Sequence, residues 1–162
     1  MEKEILRHAI CITLVSLLLV ACGNEGEPLI SSTEIFAGRT YLLCDSGEET
    51  SYRFGAEREG IKTIQNYSDN SCISPVGVPL VEAFTYTLGS TLMANDGLDA
   101  QKFNLTISGN TLFTLIRLSG GPSDMNNLFF GDTIISSAGR DGSATNRRHD
   151  GVDLTKIYLL QP

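Results

Sequence analysis

The stretch Lys102-Phe103-Asn104-Leu105-Thr106-Ile107-Ser108-Gly109-Asn110-Thr111-Leu112-Phe113-Thr114-Leu115-Ile116-Arg117-Leu118 decides the fold. Phe103, Leu105 and Ile107 alternate with Asn104 and Thr106. That period of two suits a half-buried strand and not a helix. Gly109-Asn110 supplies turn chemistry, and a second apolar run follows. Residues 102–108 and 111–118 therefore read as a hairpin across Gly109-Asn110. The same signals recur outward from it. Upstream, 36–44, 50–55 and 61–67 read as strands divided by Asp45-Ser46-Gly47 and Glu59-Gly60. In 83–89, Phe84, Tyr86 and Leu88 alternate with Thr85 and Thr87. Downstream, 127–131 and 155–161 complete the set. No stretch beyond Cys22 sustains a period near 3.6 with helix caps. Strands and turns repeating roughly every 8–12 residues predict an all-β, antiparallel sandwich or barrel with little helix.

The N-terminus is different in kind. Residues 9–21 are apolar except for Thr13 and Ser16, after a start in which Lys3 and Arg7 are offset by Glu2 and Glu4. The run is shorter than the roughly 20 residues needed to span a bilayer, and it suits a secretory signal. It ends in Leu19-Val20-Ala21-Cys22, which resembles the lipobox of bacterial lipoprotein signal peptides. A buried helix or short membrane anchor is the alternative, but either would continue past Cys22. The chain instead turns to Gly23-Asn24-Glu25-Gly26-Glu27-Pro28. The resemblance implies a signal peptide over 1–21, lipid on Cys22 and a domain outside the cytoplasm. Gly23 stands where an aspartate would favour inner-membrane retention, which implies the outer membrane. Several acyl chains together anchor firmly. Residues 22–34 read as a flexible tether, and 35–162 as one β-barrel-like domain. The formal net charge of −7 argues against nucleic acid as a partner.

With Cys11 in the signal and Cys22 lipidated, Cys44 and Cys72 remain. In an oxidising compartment they are expected to form a disulfide, on neighbouring strands or a strand and adjoining loop. A metal pair or redox couple is the alternative, but neither cysteine has a C-x-x-C partner or a histidine nearby. A weak repeat, D-G-[LV]-D-x-x-K-[FI]-x-L, runs from Asp96 and again from Asp150. It reads as a turn leading into a strand. The aspartates suggest calcium, but the EF-hand spacing is absent and turn chemistry accounts for Asp-Gly. No metal or cofactor is expected.

A family resemblance rests on Gly38-Arg39-Thr40-Tyr41, Cys44, Ser51-Tyr52-Arg53-Phe54, Tyr67-Ser68-Asp69-Asn70-Ser71-Cys72, Pro75, Phe84-Thr85-Tyr86-Thr87-Leu88-Gly89, Leu128-Phe129-Phe130-Gly131-Asp132, Arg148, Val152-Asp153 and Tyr158. These resemble the lipocalin-like domains of small proteobacterial lipoproteins. More distantly they are similar to the domains of the animal adenomatosis-polyposis-coli-down-regulated family. The resemblance spans about 36–160. It departs at Tyr41, where tryptophan is expected, and in the insert between Asp132 and Arg148. It implies a lipocalin-like (calycin) barrel or half-barrel and a binding role, with no catalytic residues.

The residues themselves also speak against an enzyme. There is no G-x-S-x-G elbow, no H-E-x-x-H and no phosphate loop. His149 stands among Gly142, Gly151 and Arg147-Arg148, and Glu48-Glu49 sits in a turn. Phe54, Phe84, Phe103, Phe113 and Phe129 occupy strand positions and read as core. The polar, glycine-rich segment 131–151 carries Arg140, Arg147, Arg148 and His149. Long loops of this kind are commonly functional or disordered. Arg140, Arg147 and His149 are the candidate binding residues, expected to be exposed and to suit an anionic surface. Solvated arginines meeting Asp132, Asp141 and Asp150 are the plainer reading. Arg148 is expected to pair with an acid near the last strand. Removing 135–145 is expected to cost little stability. The expected function is a lipid-anchored envelope binding protein for a small hydrophobic ligand or an envelope protein. The alternatives are an envelope-structural, adhesion or assembly accessory, or an inhibitor of a lytic enzyme.

Overall fold

The computed structural model describes residues 35–119 and 126–162. The expected signal peptide, Cys22 and the tether lie outside these residues. The described chain is an all-β closed barrel of eight strands, each antiparallel to the next. They are β1 Thr40–Asp45, β2 Glu48–Phe54, β3 Glu59–Tyr67 and β4 Pro75–Met93, followed by β5 Asp99–Ile107, β6 Asn110–Ser119, β7 Asn127–Phe130 and β8 Tyr158–Leu160. A single turn of 3-10 helix, Thr145–Arg147, interrupts the β7–β8 connection. β8 closes the barrel on β1 through Tyr41 opposite Leu160 and Leu42 opposite Leu159.

The hairpin that decides the fold is present, with its turn one residue earlier than read. Ile107 pairs with Asn110, so Ser108-Gly109 forms the two-residue loop. Both have positive φ, 51° and 81°, as a type I′ turn requires. β1 starts later than expected. Gly38 N–H donates to the Phe54 carbonyl at 2.9 Å and Arg39 N–H to the Phe36 carbonyl at 3.0 Å, so 36–39 is a turn that tucks Phe36 inward. β8 is shorter than read, because Asp153 Oδ1 accepts from the Thr155 N–H (2.9 Å) and hydroxyl (2.6 Å) and bends the chain there. The repeat is not structural. Asp96-Gly97 turns into β5, whereas Asp150-Gly151 precedes a lone bridge between Val152 and Gly131.

β4 is far longer than 83–89 because two neighbours share it. Its first half pairs with β3 up to Thr85, and its second half with β5 from Phe84 onward. The ladder shifts register opposite Ile64–Asn66 and again between Leu88 and Thr91. The first bulge absorbs Gly77 and Pro79, which a central strand would not tolerate.

Alternation sorts the side chains into two cores. Inward go Tyr41, Tyr52, Phe54, Phe84, Tyr86, Phe103, Leu105, Ile116 and Leu128, with Phe36 from the preceding turn packed against Phe54 and Tyr86. Their rings interlock. Phe54 meets Phe84 at 5.5 Å, Tyr86 meets Phe103 at 5.5 Å, and Tyr52 meets Phe130 at 4.9 Å and Tyr158 at 5.5 Å. Offset and edge-on pairs of this kind add to area burial. Leu115 and Phe129 face the other way and form a second core with Ala94, Ala100 and Val152. That core exists because the chain after β7 folds back over the barrel wall. A disulfide joins Cys44 on β1 to Cys72 in the β3–β4 connection, with Cα atoms 6.1 Å apart. The connection adjoins β3 and β4, not β1, so the bridge spans past β2. Asp69 braces it by accepting from the N–H groups of Ser71, Ile73 and Ser74. Those amides, Ile73 first, hold its carboxyl below the usual aspartate range.

Candidate functional site

Packed rings line the barrel interior, and an open groove of about 820 Å³ reaches two of them, Phe54 and Phe84. Arg53 and Phe54 of β2, Gly60 and Ile61 of β3, and Ala83 and Phe84 of β4 line it, together with the β5–β6 turn. It lies where β4 exchanges β3 for β5 as its neighbour. Gly60 shapes it: a Cβ there would stand 2.2 Å from Phe84 Cζ and 2.5 Å from the Arg53 carbonyl oxygen. Glycine thus lets an interior ring press against the β3 backbone. Isolated glycine in a strand is the sequence signal for such close approach, whereas Glu59-Gly60 in sequence alone suits a turn between strands.

Next to the groove, residues 75–83 of β4 pair only with β3. Val76, Val78, Leu80 and Val81 are exposed there, Val78 by 91%. Unpaired apolar strand edges are ready templates for another chain.

The segment after β7 is not the solvated loop that its composition predicts. Gly131, Gly142, Arg148, His149, Gly151 and Val152 are buried. Phe113 N–H donates to the Gly142 carbonyl (2.8 Å) and His149 N–H to the Phe113 carbonyl (3.2 Å), so this segment takes β7's place beside the start of β6. Asn95 ties it to the β4–β5 turn. Its N–H donates to the Asp150 carbonyl at 2.8 Å, and its Nδ2 to the Ile135 carbonyl at 2.6 Å. The Ser136 hydroxyl accepts from the N–H groups of Asp150 (3.2 Å) and Gly151 (3.1 Å).

The three candidate residues on this segment part company. Arg147 is exposed, pairs with Asp141 and donates to the Gly139 carbonyl. Arg140 is exposed, with Nε 3.9 Å from Asp150 and Nη1 donating to the Asn146 carbonyl at 3.0 Å. His149, expected at the surface, is 5% exposed. Its Nδ1 lies 3.0 Å from the Thr114 hydroxyl and its Nε2 3.1 Å from that of Thr133. Hydroxyls donate or accept as needed, so both ring nitrogens are satisfied without solvent. Arg148 does not meet an acid. It donates to the carbonyls of Phe103 (2.9 Å) and Thr114 (2.7 Å) and to Asn104 Oδ1 (2.5 Å), with its guanidinium 5.5 Å from the centre of the Phe113 ring. Phe113 is therefore half-buried beneath an arginine, while Phe54, Phe84, Phe103 and Phe129 are core as read.

Among the described residues no three His, Cys, Asp or Glu side chains gather as a metal site. The buried tyrosines are held as neutral phenols. Burial, and then Tyr158, pushes Tyr52 well above the usual range, while burial and Glu48 push Tyr158 up to about 12. No family model matches the chain, and no curated protein or solved structure matches it.

Proposed function

We propose that this chain is a lipid-anchored, non-catalytic binding protein of the bacterial outer membrane, taking its ligand on the barrel wall. The carrying observation is an open, largely apolar groove of about 820 Å³ floored by the interior rings Phe54 and Phe84. That size and lining suit a small hydrophobic molecule. The lipobox-like Leu19-Val20-Ala21-Cys22 supports the anchor, and the disulfide suits an oxidising compartment.

Two measurements test the reading. Metabolic labelling with an alkyne palmitate analogue should mark the wild type and leave Cys22→Ser unlabelled; equal labelling removes the anchor. Native mass spectrometry of the protein from its own envelope should show a retained small hydrophobic mass. Ala83→Glu, at an exposed position of the groove, should release it. Retention undiminished in that variant removes the groove as the site. The free apolar edge of β4 favours a second reading, a lipoprotein that docks an envelope protein or a lytic enzyme. A retained polypeptide in the same experiment selects it.

A further inference from the structure

Arg148 is 8% exposed and Arg117 is 9% exposed, yet they are treated differently by their surroundings. Arg117 holds both oxygens of Asp96, at 2.6 and 2.9 Å, and its charge is answered. Arg148 spends three of its five N–H donors on neutral oxygens. It has no acidic partner among the described residues. Burying a charge is costly unless it is paired. Burial alone accounts for the downward shift of the Arg148 pKa, with no carboxylate offsetting it.

Arg148 also lines a pocket of about 250 Å³ with Leu92, Lys102, Arg140, His149 and Asp150. Lys102, half-buried on the outer face of β5, has no ion pair among the described residues. Its stem runs against Gly89, where a Cβ would stand 3.0 Å from Lys102 Cβ. Arg140 makes only a loose contact with Asp150. The other oxygen of that carboxylate accepts the Ser137 N–H at 2.7 Å. Three cations and one acid thus share a small pocket on a chain of net charge −7.

We propose that this pocket binds a phosphate or sulfate group, whose oxygens complete the pairing of Arg148 and are clamped from outside by Lys102 and Arg140. Guanidinium and ammonium donors converging on an oxyanion make charge-assisted bonds. The pocket is separate from the apolar groove and stands or falls apart from it.

The test is calorimetric titration of the full-length chain with sodium phosphate and with sodium sulfate, against sodium chloride at matched ionic strength. A second arm floats the chain with phosphatidylcholine vesicles containing or lacking phosphatidic acid, which separates a free ion from a lipid headgroup. Lys102→Glu reverses a charge at the rim and leaves Arg148 in place, so the fold is kept. Saturable binding in either arm, weakened about tenfold or more by Lys102→Glu and unchanged by Arg58→Asn at the distant β2–β3 turn, supports the site. Heats equal to the chloride control with no vesicle dependence on phosphatidic acid overturn it. Binding that Lys102→Glu leaves intact overturns it equally.

Discussion

Gly60→Ala is the sharpest test of how the groove and the aromatic interior depend on each other. The added methyl would lie 2.2 Å from Phe84 Cζ, against an ordinary contact of 3.4 Å or more, so the ring must retreat by more than about 1 Å. Retreat into the core is barred, because Phe54, Tyr52 and Tyr86 rings stand 5.5, 5.9 and 6.2 Å from its centre. The Arg53 carbonyl oxygen, 2.5 Å from the same Cβ, belongs to the β2 backbone. Overpacking of this kind costs typically about 1–3 kcal/mol, and two simultaneous clashes put the expected loss near 3 kcal/mol. Urea unfolding is the assay, with the slope unchanged and the midpoint lowered by roughly 1.5 M. Phe84→Leu removes the atoms that clash and alone should cost about 1–2 kcal/mol. The double variant should then be at least about 1 kcal/mol more stable than the two losses added together. A loss under about 0.5 kcal/mol for Gly60→Ala, or strict additivity in the pair, would show that Phe84 does not depend on the missing side chain at position 60.

Three further outcomes are expected. Non-reducing peptide mapping should join the Cys44 and Cys72 peptides, and Cys72→Ser should lower stability by about 3.5 kcal/mol in the chain-entropy model. The Arg117 guanidinium holds the Asp96 carboxyl below the ordinary value of 3.8, so the folded state binds fewer protons there than the unfolded one. The pair therefore stabilises fully above that value and is lost as pH falls below it; Asp96→Asn should flatten this acid limb in unfolding measured from pH 5 to 2. Deleting 135–145 removes partners of Asn95, Asp150, Gly151 and Phe113, and should cost about 3 kcal/mol or more in thermal or urea unfolding. A neutral deletion would show that the segment is not packed structure.

The strand positions were readable because alternation survives burial on one face. Phe103, Leu105 and Ile107 point inward as the pattern requires. The ends of β4 were not readable. Pro75, Gly77 and Pro79 are breakers in isolation, and only a strand with one free edge and a bulge accommodates them. The packing of 131–152 was hidden for a related reason. A glycine has the same letter whether it gives freedom or permits crowding. At Gly151 a Cβ would stand 2.3 Å from the Ile135 carbonyl oxygen, and at Gly131 it would meet Thr114 Oγ1 at 2.7 Å. By polarity His149 looked solvent-facing and Arg148 looked like one half of an ion pair. Their partners are largely main-chain carbonyls and threonine hydroxyls, groups that leave no mark in charge or spacing. The Cys44–Cys72 bridge was legible by counting once Cys11 and Cys22 were assigned elsewhere.

β8 is joined to the barrel by two residue pairs on each side, Tyr41–Leu160 and Leu42–Leu159 toward β1, and Asn127–Leu159 and Leu128–Tyr158 toward β7. Every other neighbouring pair of strands follows directly along the chain; only the β1–β8 contact links the two ends of the domain. Closing it ties off the longest loop of the domain for only two residue pairs, so this seam is expected to form late in folding. It is also where the wall is expected to open first, and amide exchange in β8 should then report a breathing motion well below the cost of unfolding the barrel. An opening there unzips the side bearing Tyr158, giving the closed ring of strands a latch.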